Sequence, residues 1–189
     1  FDHEAMVGFL APEAELAGAV VIGEDLGTFE PWVQEYLAQR GIMGTSILWF
    51  ESDGPGVPKH PSNYRRLCLS SVTTHDLPPT AGYLDGEHIK LRDRLGLFDT
   101  DVAEEDAHDL DWITENLAAV DAAGCFDGLE DDGEPVPGRD WKNISRAELP
   151  DAGPLIVGLH RYLARTPSAL TCMALVDMVG DRRTQNQPG

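Results

Sequence analysis

The 189-residue chain reads as an α/β protein in which short parallel strands alternate with amphipathic helices. Three observations predict this. The run Ala19-Val20-Val21-Ile22 passes through Gly23 into the paired acids Glu24 and Asp25, as a strand buried on both faces does at its carboxyl end. The stretch from Cys68 to Thr73 repeats the design, leading into Thr74-His75-Asp76 and stopped by Pro78. Between such runs, apolar residues recur at the 3.6-residue spacing of helices. Strands are expected near Ala19, Thr45, Cys68 and Ala169, each opening a strand-then-helix unit.

The first helix is expected from Asp2 to Leu16, with Asp2 as cap and Ala5, Met6, Phe9 and Leu10 on one face. After the Glu24 strand, Thr28 to Arg40 reads as a second helix. Thr28 would cap it, Pro31 would fit its first turn, Trp32, Val33, Tyr36 and Leu37 form its stripe, and Gly41 ends it. Thr45 to Phe50 is the next strand, with Glu51 at its tip. Ser52 to Tyr64, rich in Gly and Pro, reads as a long loop on which His60 and Tyr64 are surface residues.

Beyond the third strand, helices are expected at Pro79–Leu84, Glu87–Leu95 and Asp99–Ala123, the last with a solvated acidic face. Phe126 to Lys142 is dense in Gly, Pro and Asp and reads as an exposed loop. A helix from Leu155 to Ala164 presents Leu155, Ile156, Leu159 and Leu163 on one side, and a last strand runs from Ala169 to Ala174 with Asp177 beyond its end.

Composition sets wider bounds. With 42% hydrophobic residues the chain can bury a core. Its formal charge of -19 argues against nucleic acid or an anionic membrane as partner and favours a neutral ligand such as a sugar. Cys68, Cys125 and Cys172 are odd in number and widely spaced, and read as reduced core residues of an intracellular, cytoplasmic protein. No basic-then-apolar leader and no run of about 18 apolar residues occurs, so neither export nor membrane spanning is expected. No phosphate loop, CxxC pair or zinc-binding helix motif is present, and no cofactor or metal is called for.

On residues alone, Glu24 has two readings. At a strand tip, with its stem among apolar residues, it would have the raised pKa of a general acid; alternatively, Glu24 and Asp25 only favour the start of the next helix. The motifs Val21-Ile22-Gly23-Glu24-Asp25-Leu26-Gly27 and Thr74-His75-Asp76-Leu77-Pro78 together resemble the amylomaltases, the 4-alpha-glucanotransferases of the alpha-amylase superfamily. The resemblance continues through Gly41–Gly44 and Trp49–Asp53 and returns in Thr184-Gln185-Asn186-Gln187-Pro188-Gly189, whereas 85–152 carries no matching motif.

The resemblance implies a partial (β/α)8 TIM barrel, about its strands 5 to 8, with a helical, acidic insertion. The chain would divide into a barrel segment at 1–84, the insertion at 85–152 and the last strand unit at 153–189. It implies retaining transfer between maltooligosaccharides and related alpha-1,4-glucans, with Glu24 as acid and later base. Asp76 would bind sugar hydroxyls and stabilise the transition state, and His75, Glu51 and Asn186 would contact substrate. The family's nucleophile also lies in an Asp-His pair, but Asp2-His3 opens a helix with no strand before it. The nucleophile is therefore read as absent and the chain as inactive alone. The rival readings are an alpha-amylase-type hydrolase and a non-catalytic glucan-binding fragment.

Overall fold

The computed structural model describes residues 2–30 and 32–186, so Pro31 and the Gln187-Pro188-Gly189 part of the last motif lie outside it. In chain order the strands are β1 (Gly44–Ile47), β2 (Ser52–Gly54), β3 (Val57–Pro58), β4 (Cys68–Ser71), β5 (Glu130–Asp131), β6 (Glu134–Pro135) and β7 (Leu170–Cys172). The centre is a three-stranded parallel sheet in the order β1-β4-β7. The register sets Gly44 against Cys68 and Ile47 against Ser71, then Ser71 against Cys172. The other strands form two antiparallel hairpins, β2 with β3 and β5 with β6.

The helices are α1 (His3–Ala17), α2 (Trp32–Ala38), α3 (Thr80–Leu84), α4 (Glu87–Arg94), α5 (Val102–Ala122), α6 (Ala152–Leu163) and α7 (Leu175–Met178). Asp2 caps α1 as expected, its Oδ1 accepting from the Ala5 N–H at 3.0 Å, and Gly18 ends that helix in the left-handed region. Asp101 caps α5 in the same way, accepting from the Ala103 N–H.

The core lies where α6 packs on β4, with α3 and α5 packed against α6. Ile113, Leu117 and Val120 of α5 meet Leu155, Leu159 and Leu163 of α6, each essentially inaccessible to water. Each such side chain contributes about 1.5–3 kcal/mol on burial. Gly158 of α6 accommodates the Phe126 ring, because a Cβ there would collide with it. Gly82 of α3 likewise leaves room for the Arg182 carbonyl.

Several expectations are corrected. The first strand is not formed: only the bridge Ile22–Met43 joins the sheet, through Gly23 N–H to Met43 O at 2.7 Å and Met43 N–H to Val21 O at 3.0 Å. Val20 and Ile22 are exposed, because no described element covers their outer side. The expected fourfold sheet therefore has three strands and a bridge. The strand predicted over Thr45–Phe50 stops at Ile47 and turns into a 3-10 helix, Leu48–Phe50, which buries Leu48 and Trp49 and turns Phe50 outward. An apolar run cannot by itself distinguish these.

The predicted loop 52–64 holds the first hairpin, and its Tyr64 is buried in the core while His60 is exposed. The predicted loop 126–142 holds the second hairpin and delivers Phe126, Val136 and Trp141 to the core. All three cysteines are free, and Cys68 and Cys125 are buried. Cys172, expected in the core, is exposed with the rest of β7, an edge strand that, unlike β1, is left uncovered among the described residues.

Candidate active site

Parallel strands all end on the same sheet edge, and the candidate carboxylates follow those ends. Glu24 stands two residues beyond the bridging Ile22, Glu51 beyond the 3-10 turn that follows β1, and Asp76 in the turn after β4. The segment reaching Asn186 lies beyond β7.

Motifs 110 residues apart meet at this edge: the Asn186 side-chain N–H donates to Asp76 Oδ1 at 2.7 Å. His75 Nε2 lies 3.3 Å from the same oxygen, and the Asp76 backbone N–H donates to Thr74 Oγ1 at 3.1 Å. Asp76 and His75 are both exposed. A carboxylate held by an amide on one oxygen retains acceptor capacity on the other, which suits it to sugar hydroxyls. Glu51 is mostly buried and forms an ion pair with Lys59.

Glu24 does not have the apolar surroundings expected of it. Its side chain is exposed, and the neighbouring Asp25 is the buried acid, with only 1% of its side chain accessible. Arg65 Nη1 donates to Asp25 Oδ2 at 2.5 Å, the Thr45 N–H donates to Oδ1 at 2.7 Å, and Arg65 also donates to the Thr45 carbonyl. Burial pushes the Asp25 carboxyl up, but the Arg65 and Thr45 hydrogen bonds and the Arg65 charge outweigh it, holding the group below the usual aspartate range. This clamp anchors the residue next to Glu24 onto β1. Asp25, Glu51, Phe50 and Arg65 line a common cavity of about 420 Å³.

Sequence reasoning missed Arg65, and the available sign was Gly44. A Cβ at Gly44 would lie 2.6 Å from Arg65 and 2.7 Å from the Asp25 carboxylate, and a glycine within a strand often marks such a close approach. Also missed was the role of Asp177, which is buried and receives the Thr80 N–H at 2.8 Å and the Thr80 hydroxyl at 2.7 Å. Burial raises its pKa, but His160 beside it and the Thr80 hydrogen bonds together bring it below the usual range. This carboxylate ties α7 to the start of α3, close behind the Asp76 turn. Among the described residues, no group of three or more His, Cys, Asp or Glu is placed to hold a metal ion, and no helix is long and apolar enough to cross a membrane.

A family model described as 4-alpha-glucanotransferase matches residues 1–189. The chain belongs to that family. The 4-alpha-glucanotransferases of Mycobacterium tuberculosis and Mycobacterium bovis are each 52% identical to it, over 100% of this chain and 24% of theirs. That of Haemophilus influenzae is 23% identical over 100% of this chain and 25% of its own. The crystal structure of amylomaltase from Corynebacterium glutamicum superposes with a TM-score of 0.88 at 58% identity, covering 100% of this chain and 26% of that one. The chain thus spans about a quarter of the length of the curated relatives it matches.

Proposed function

We propose that this chain is the acid/base part of a cytoplasmic 4-alpha-glucanotransferase that passes alpha-1,4-glucan segments between maltooligosaccharides. In this reading the parallel sheet is part of a (β/α)8 barrel, about its strands 5 to 8, and 85–152 is an insertion between the third and last strand units. The exposed apolar residues of α1 and of the bridge, Met6, Phe9, Leu16 and Val20 among them, are the faces a complete barrel would cover. The observation that carries the proposal is the meeting of Asn186 with Asp76, on the sheet edge that Glu24 and Glu51 also follow, in a member of this family.

The chemistry is retaining transfer, in which one carboxylate attacks the anomeric carbon while a carboxylic acid protonates the departing oxygen. Glu24 is that acid, and afterwards the base that takes the proton from an acceptor sugar hydroxyl. The Asp25–Arg65 clamp sets its position. Asp76, held by Asn186, binds ring hydroxyls and faces the cationic transition state, while His75 and Glu51 contact the glucan. The nucleophile comes from outside this chain, since Asp2 is engaged in capping α1.

In a family-length enzyme carrying this chain, Glu24→Gln should lower transfer by about 10²–10⁴-fold with glucan binding retained, because the amide keeps the shape but has no proton to give. Chromatography of products from maltotriose reads this directly: chains longer than the donor mean transfer, and glucose with shortened chains alone would mean hydrolysis. Activity within tenfold of the parent would remove Glu24 from its role. Asp76→Asn should reduce kcat more than it raises KM. A change in KM alone would make Asp76 an ordinary binding residue.

A further inference from the structure

Strands β4 and β7 lie side by side, with Ser71 opposite Cys172 at their carboxyl ends, and the chain leaves each along its own path. One path makes the Asp76 turn and enters α3, and the other forms α7 and runs on to Asn186. They meet again twice. Asn186 meets Asp76 across 110 residues, and Asp177 of α7 meets Thr80, the first residue of α3, across 97.

The second meeting is the buried one. The Asp177 side chain has no accessible surface and neither has Thr80, whereas Asp76 and Asn186 are exposed. Asp177 Oδ1 accepts from the Thr80 N–H at 2.8 Å and Oδ2 from its hydroxyl at 2.7 Å, so one residue engages both carboxylate oxygens. Nε2 of His160, on α6, stands 3.6 Å from Oδ2. Burying a carboxylate is costly, and an apolar side chain of like size often holds two elements together as firmly. What the carboxylate adds is direction, because its two hydrogen bonds fix how α7 is seated on α3.

Both ends of this tie lead stiffly to the reactive edge. Between Asp76 and Thr80 stand Leu77, Pro78 and Pro79, and the prolines have a fixed φ. The Thr73 hydroxyl donates to the Pro78 carbonyl at 3.0 Å and closes the turn on itself. On the other side the chain turns at Gly180, in the left-handed region, and the Arg182 carbonyl comes to rest on Gly82 of α3. Arg182 then pairs with Asp85 at the end of α3. The segment leading to Asn186 is thus seated along α3, with Asp177 as its first anchor.

We propose that Asp177 is a positioning residue for glucan transfer. By fixing α7 to Thr80 it sets where Asn186 meets Asp76, and so the aim of the Asp76 carboxylate at the reacting sugar. This rests on the transition-state role given to Asp76 above. A misplacement of about 1 Å in such a group can cost about 10²-fold in rate.

The test uses a family-length enzyme carrying this chain, with kcat and KM for maltotriose measured below each variant's melting midpoint and expressed per folded molecule. Lost stability alone then leaves kcat unmoved. Asp177→Ala removes both acceptors and should lower kcat about 10- to 10²-fold, with KM changed by no more than about twofold. Thr80→Val keeps the side-chain shape without the hydroxyl and should also lower kcat, whereas Thr80→Ser keeps the hydroxyl and should restore it to within about twofold of the parent. A role in packing alone would rank these two the other way, since Ser loses the methyl that Val keeps. In an Asp76→Asn background, Thr80→Val should have no further effect on kcat, because residues acting as a unit are not additive. Thr80→Val as active as Thr80→Ser, or an effect that adds in full to that of Asp76→Asn, overturns the positioning role and leaves the Glu24→Gln assay standing. If Asp177→Ala does not fold, the two Thr80 variants decide. An unchanged kcat for Asp76→Asn alone would remove the role of Asp76 itself, and this inference with it.

Discussion

Residues 2–30 and the helical region from α3 to α6 are patterned alike, yet they are buried in opposite ways. In the second region the apolar stripes of α5 and α6 close on one another, and α6 packs on β4. In the first, Met6, Phe9 and Leu16 remain 62%, 74% and 83% exposed, and the single buried residue is a carboxylate, Asp25. An amphipathic pattern therefore specifies that a helix forms and which face is apolar, but burial requires a second surface. The comparison also locates two kinds of stability. One region is held by packing, and the other by a backbone bridge at Ile22–Met43 and a charged clamp to β1.

The packed region should break most readily. Leu159→Ala, which empties space between α5, α6 and the sheet, should cost about 2–5 kcal/mol, read as a shift of the urea midpoint. A loss below about 1 kcal/mol, well under the range for an emptied core site, would mean that α6 does not organise the core.

The clamp should cost less. Asp25→Asn removes the charge that Arg65 and the Thr45 N–H bind and should destabilise by about 1–3 kcal/mol near neutral pH. Because the folded Asp25 has a depressed pKa, the folded chain binds fewer protons than the unfolded one as pH drops. Its stabilisation is fully present above the ordinary aspartate value of about 4 and is lost as pH falls through the depressed value. Asp177 adds to the same window. Denaturant titrations from neutral pH down through the acid range should therefore show a shallower acid loss for the Asp25→Asn variant than for the parent. Parallel curves would show that the clamp does not contribute.

The smallest effect is expected on the open side. Phe9→Ala in the 189-residue chain should change stability by no more than about 0.5 kcal/mol, since almost no area is lost from a buried contact. In a family-length enzyme the same substitution should cost several times more if the barrel covers α1. Equal effects in both would place this face in solvent permanently.

Local chemistry made much of the fold legible. Asp2 announced its helix by capping, and the spacing of Leu155, Ile156, Leu159 and Leu163 announced the buried face of α6, because both signals depend on residues within a few positions of one another. The candidate site was legible where a short motif carried it, as with His75-Asp76 and Asn186.

What needed the tertiary structure was every decision between distant segments. The sequence could not show that Asn186 would bond to Asp76, that Arg65 would claim Asp25, or that Tyr64, Phe126 and Trp141 would leave loop-like stretches for the core. Nor could it show that Ala19–Ile22, as apolar as any strand in the chain, would make a single bridge and stay largely exposed. Backbone preference and apolar spacing are properties of neighbours along the chain. Which carboxylate is buried, and which apolar face finds a partner, depends on surfaces that only folding brings into contact.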